Sequence, residues 1–117
     1  MSLVIPCRMR IFNRSAILFY AKRHGDVRDD LLTWYAEVEK AAWKSPAAVR
    51  RQFPRASVVA NNRVVFDIGG NRYRLIVSFT YEHAAGYIKF FGSHAEYDRI
   101  DAATVDLTGV IHGKAKS

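Results

Sequence analysis

Residues 64–91 read VVFDIGGNRYRLIVSFTYEHAAGYIKFF, and no other stretch of the chain narrows the possible folds as much. Tyr73, Leu75, Val77, Phe79 and Tyr81 alternate with Arg74, Ile76, Ser78 and Thr80. A strand over residues 73–81 sends the first, apolar set to one face and the second to the other. Ahead of it, residues 64–68 form another strand, and Gly69-Gly70-Asn71 between the two accepts the positive φ of a hairpin turn. A loop over 82–86 leads into a third strand, Tyr87-Ile88-Lys89-Phe90-Phe91, which Gly92 is expected to stop. Ser93 and Glu96 then have the spacing of a capping box, so a helix begins at His94.

Upstream of this meander the period changes from two to that of a helix. Residues 9–12 form a short apolar strand, closed by Asn13-Arg14-Ser15 as a helix cap. Ile17, Tyr20, Ala21 and His24 recur at helical spacing, and Gly25 suits a left-handed C-terminal turn. Asp26 restarts a second helix with Val27, Leu31, Trp34, Tyr35, Val38 and Ala42 along one stripe. So short a link makes these two helices a hairpin. Ser45-Pro46 opens a brief third helix that carries Arg50 and Arg51 and ends before Pro54; residues 58–59 add a small strand. The expected fold class is α+β: an N-terminal strand and helical hairpin packed on an antiparallel β-sheet. One domain is expected over residues 9–105, with an extension over 1–8 and a polar tail over 106–117.

The charge is one-sided. Eighteen Lys and Arg stand against eleven Asp and Glu, for a formal net charge of +7, and the arginines outnumber the lysines. A small basic domain attracts polyanions, and the guanidinium suits bidentate phosphate contact and stacking on bases. The single cysteine, Cys7, supports neither a disulfide framework nor a cysteine zinc site, which fits a reducing cytoplasmic setting. No apolar run approaches the ~20 residues of a membrane span, so no membrane partner is expected.

Helical spacing from residue 94 sets His94 beside Tyr97 and Asp98 at the end of the last strand. An imidazole, a phenol and a carboxylate together are the parts of a proton-transfer site. Equally, His94 and Tyr97 could fill surface gaps while Asp98 pairs with Arg99. Alternation places Arg74 on the sheet face away from the helices, and puts Lys89 on one face with Tyr87 and Phe91. There Lys89 would hold a phosphate while the rings stack on bases, with Arg72, Arg50 and Arg51 as further RNA contacts. RNA can be cut by its own 2′-hydroxyl if a base, an acid and cations are supplied. Arg74, Lys89, His94, Tyr97 and Asp98 cover those roles. No carboxylate cluster has the spacing of a metal site and no nucleotide-binding glycine loop is present, so neither metal nor cofactor is expected.

The segments VFDIGGNRYRLIV and YIKFFGSHAEYDRIDAATV, with RQFPRAS ahead of a strand, resemble the HigB family of bacterial toxins in the RelE-like superfamily. The resemblance covers residues 12–105 and implies a RelE-like fold. It also implies a ribosome-dependent mRNA endonuclease, neutralised by a co-expressed helix-turn-helix (HigA-like) antitoxin and meeting DNA only through that complex. Arg74 matches the arginine after GGN. Lys89 matches the basic strand residue, and His94, Tyr97 and Asp98 match the HxEYD segment; Ser93 stands where many relatives carry Thr. The superfamily shares no single catalytic set, so the motif leaves base and acid unassigned. A toxin of the same superfold that binds a protein target such as gyrase, and an RNA-binding module without turnover, are the alternatives. A binder has no need of His94 and Tyr97 beside Arg74.

Overall fold

A computed structural model describes residues 9–106 except 13 and 61. The expected extension over 1–8, and the polar tail beyond its first residue, fall outside those residues. In chain order the elements are β1 (Arg10–Phe12), α1 (Arg14–Arg23), α2 (Arg28–Lys40), α3 (Pro46–Gln52), β2 (Ser57–Val59), β3 (Arg63–Ile68), β4 (Tyr73–Thr80), β5 (Ala85–Ser93) and α4 (His94–Tyr97). They make an α+β fold around one five-stranded sheet in the order β1-β5-β4-β3-β2. The meander β2–β5 is antiparallel, as the alternation predicts, whereas β1 joins the outer edge of β5 in parallel. Parallel neighbours need a long crossover, and α1, α2, α3 and three strands lie between β1 and β5.

One face of the sheet carries the main core. Leu75, Val77 and Phe79 of β4 and Ile88 and Phe91 of β5 are buried against Ile17, Tyr20, Leu31, Trp34 and Val38 of the helices. Phe66 sits at its centre, edge-on to Trp34, Phe53 and Phe79 with ring centroids 5.2, 5.2 and 6.2 Å away. Such edge-to-face aromatic pairs add to the area they bury.

Local signals mostly hold. Ser45 accepts the Ala48 N–H at 3.3 Å, with Pro46 in the first turn of α3. Gly69 and Gly70 take φ of 68° and 73° between β3 and β4. A Cβ on Gly69 would come within 2.4 Å of Val27 Cγ1, so this position lacks space as well as freedom. Three expectations fail. Gly25 has no positive φ; with Asp26 and Val27 it forms a single 3-10 turn ahead of α2, and Asp26 turns outward to Arg72 instead of capping. Gly92 does not end the third meander strand, which runs through it to Ser93. Its missing Cβ leaves room for the Phe90 ring and the Glu96 carboxylate, 2.7 and 2.8 Å from where a Cβ would sit.

Candidate RNA-cleavage site at the junction of β5 and α4

The junction is built by reciprocal capping. Ser93 Oγ accepts the Glu96 N–H at 3.1 Å, and Glu96 Oε1 accepts the Ser93 N–H at 2.7 Å. One turn of helix cannot sustain itself in isolation. Here the cap, a hydrogen bond from the His94 N–H to the Arg72 carbonyl (3.0 Å) and the packing of Tyr97 hold it. The bond to Arg72 ties α4 to the turn that leads into β4, the strand that carries Arg74. Asp98 closes the turn, and its Oδ2 lies 3.3 Å from His94 Nδ1 on a well exposed surface.

Arg74 faces away from the helices, and its guanidinium lies 5.9 Å from the centre of the Tyr97 ring. It is held on three sides. Asp67, its direct partner across β3, is 3.4 Å away. Nη2 donates to Asn71 Oδ1 at 2.8 Å, and Nη1 donates to the Asn71 and Tyr73 carbonyls. Only 13% of the side chain is exposed. A guanidinium fixed by a carboxylate, an amide and a ring is oriented in advance, which is how a phosphate clamp works best. Sequence reasoning did not find Asp67 or Asn71. The signal existed, because a turn closing Ile68 onto Tyr73 sets Asp67 directly opposite Arg74.

The face bearing Arg74 is also less open than alternation implies. Val65, Ile76 and Phe90 form a second, small apolar cluster covered by Tyr97, Ile100, Ala102 and Val105. The chain after α4 therefore crosses this face as a strap. Arg63, buried to 8% exposure, holds the strap by donating from Nη1 to the Ala102 and Val105 carbonyls at 3.1 and 2.6 Å. At its end Asp106 Oδ2 lies 3.3 Å from Lys89 Nζ. Nothing local announced this segment.

The other expected contacts divide. Lys89 sits in a β-bulge: Val77 pairs with Ile88 and Ile76 with Phe90, which leaves Lys89 as the extra residue. The bulge shifts the alternation, so Phe90 joins the strap face and Phe91 returns to the helical core. There Phe91 stacks on Tyr73 (5.2 Å, 8°) and touches Tyr20 and His24. The expectation that Phe91 shares a face with Lys89 is thus corrected, and a ring 6% exposed offers no surface to a base. Tyr87 remains exposed. Arg72 points to the helical side, where it pairs with Asp26 at 3.0 Å beside Tyr73. Tyr73 titrates above the ordinary tyrosine value, first through desolvation and then through Asp26. Arg50 and Arg51 are exposed on α3, whose Val49 packs into the helical core, so they belong to a different surface from Arg74. Among the described residues, no three His, Cys, Asp or Glu side chains gather where a metal ion could bind. No helix among them is long and apolar enough to cross a membrane.

Comparison with known proteins identifies relatives of the chain. The chain is 24% identical over 94 residues, 79% of its own length and 91% of the relative's, to an mRNA interferase HigB of Escherichia coli O6:H1. It is 24% identical over 92 residues to the mRNA interferase toxin HigB of Escherichia coli K12 and to mRNA interferase HigB of Shigella flexneri, covering 77% of this chain and 88% of each. Residues 27–100 match the description of HigB toxins, and as that match spans more than half of the chain, the protein belongs to this family, the RelE-like toxic component of a toxin–antitoxin system.

Proposed function

We propose that the protein is an mRNA interferase that cuts messages on the ribosome by attack of the RNA's own 2′-hydroxyl, without a metal ion. The observation that carries this reading is the convergence of Arg74, Tyr97 and the His94–Asp98 pair at one strand end. The names of the similar proteins support the substrate. Arg74 contacts the scissile phosphate and stabilises the charge that builds on it in the transition state. Asp98 beside Nδ1 favours a proton on that nitrogen, which leaves Nε2 of His94 to take one. The base removes the 2′-hydroxyl proton, O2′ bonds to phosphorus, the P–O5′ bond breaks and the leaving oxygen is protonated, with Tyr97 as donor or orienting phenol. Lys89 adds a cation on the same face once RNA competes with Asp106 for it.

The basic protein acts in the cytoplasm, where translating messages are found. Its partner is a helix-turn-helix antitoxin of the HigA kind, through which alone the complex meets DNA. The test uses ribosome-bound message and follows the RNA ends. A 2′,3′-cyclic or 3′-phosphate upstream and a 5′-hydroxyl downstream are expected, and a 5′-phosphate would withdraw these roles. His94→Gln and Tyr97→Phe should each slow cleavage ~10²-fold, with the double variant losing less than the product because the groups act as one unit. Strictly multiplicative losses would mean that the two do not share proton transfer.

A further inference from the structure

The proposed cleavage site accounts for Arg74 and its neighbours but leaves an exposed aromatic pair at the far end of the same sheet face. Phe12 of β1 and Tyr87 of β5 are direct strand partners. Their rings lie parallel, with centroids 4.9 Å apart and planes 12° apart. They are 39% and 37% exposed, and the Arg10 guanidinium stands 5.6 Å from the Phe12 ring. Two large rings left in water at an edge strand, with a cation against them, call for a reason, because edges usually carry charge or proline.

We propose that Phe12 and Tyr87 form a ledge on which an unpaired base of the message stacks, with Arg10 and Lys89 reading the adjoining backbone as charge. This rests on the mRNA interferase reading. Aromatic faces stack any base, and flanking cations follow the phosphates, which together are the elements of a single-strand binding track. Tyr87 and Lys89 lie two residues apart on β5, and Gly92 is the partner of Arg74. Ser78 is the partner of Tyr87 and lies four residues from Arg74 on β4, so at ~3.3 Å per residue the ledge is about 13 Å from the cleavage end, a few nucleotides along an extended strand. The ledge anchors and positions the RNA and takes no part in proton transfer.

The experiment is single-turnover cleavage on ribosome–message complexes over a range of toxin concentrations. Phe12→Ala and Tyr87→Ala should each raise the half-saturating concentration ~10-fold, the loss of about one stacked base, with the maximal rate within about twofold of the parent. Tyr87→Phe should behave as the parent. A scan with single abasic nucleotides should find one position that costs the parent the same ~10-fold and costs Tyr87→Ala nothing further. Half-saturation unchanged in well-folded Ala variants, or abasic effects that add in full to theirs, would overturn the ledge and leave the cleavage reading standing. Absence of any RNA cleavage by the parent would overturn both. Ala variants that cleave normally but no longer co-purify with the antitoxin would assign the pair to a protein contact instead.

Discussion

The two faces of the sheet are built to different rules. On the helical face, apolar side chains from the sheet and the helices close into one continuous core around Phe66. On the other face the buried apolar residues among those described are Val65, Ile76 and Phe90, beneath a strap of irregular chain, and polar residues, the buried Arg63 among them, are interleaved with them. Arg63, Asp67, Arg74 and Lys89 all point to this second side. The lesson is one of solvation. A guanidinium placed under the helices would be stripped of water without recompense, whereas a thinly covered face lets Arg74 be held firmly and stay partly in reach of solvent. The main apolar core and the charged side chains are thus separated by strand alternation within a single layer.

This contrast can be broken by substitution. The largest effect is expected for Phe66→Ala, which should cost ~3–5 kcal/mol in denaturant unfolding. Phe90→Ala should cost clearly less, because the strap can settle into the gap. Equal losses would mean that the strap face is as much core as the helical one.

Next comes Arg74→Ala, expected to lower single-turnover cleavage ~10²-fold or more. Its stability should fall by only ~1–3 kcal/mol as Asp67 and Asn71 lose their partner. A cleavage rate within twofold of the parent would take Arg74 out of the site. Arg74→Lys should not restore activity, since an ammonium cannot reproduce the fork that Asp67 and Asn71 orient.

Arg63→Met keeps the length of the stem but removes both hydrogen bonds to the strap. It should destabilise by ~1–3 kcal/mol and speed proteolytic cutting within residues 98–106 before global unfolding. Unchanged cutting there would show that the apolar contacts of Ile100 and Val105 hold the strap unaided.

The smallest effect is the alkaline limit of the helical core. Burial raises the phenols of Tyr20 and Tyr81 above their ordinary value of 10.0. A group with a raised folded pKa contributes its full share of stability below the unfolded value and loses it as pH rises through the folded one. Stability should therefore be level up to about pH 10 and fall above it. Tyr20→Phe should flatten that fall in unfolding curves taken at pH 8 and pH 11, and an identical slope in the variant would assign the effect elsewhere.

What the amino-acid order determined by itself is a set of features that close within a few residues. Ser93 with Glu96, Ser45 with Pro46, and the paired glycines before Asn71 each specify a local hydrogen bond or a backbone conformation, and the structure carries all three. Alternation likewise assigned Leu75, Val77 and Phe79 to the core, and it set Arg74 on the opposite face. Tertiary structure alone decided the rest. The parallel seat of β1 against β5 joins segments some 75 residues apart, and no local pattern encodes a partner at that range. The bulge at Lys89 moved Phe91 into the core because β5 must stay paired with β4 while feeding the capped turn of α4. The strap over Val65, Ile76 and Phe90 is irregular chain without a period, held by Arg63 bonds to backbone carbonyls that every residue possesses. Carbonyls carry no sequence signature, so only the folded chain could show which ones this buried arginine would find.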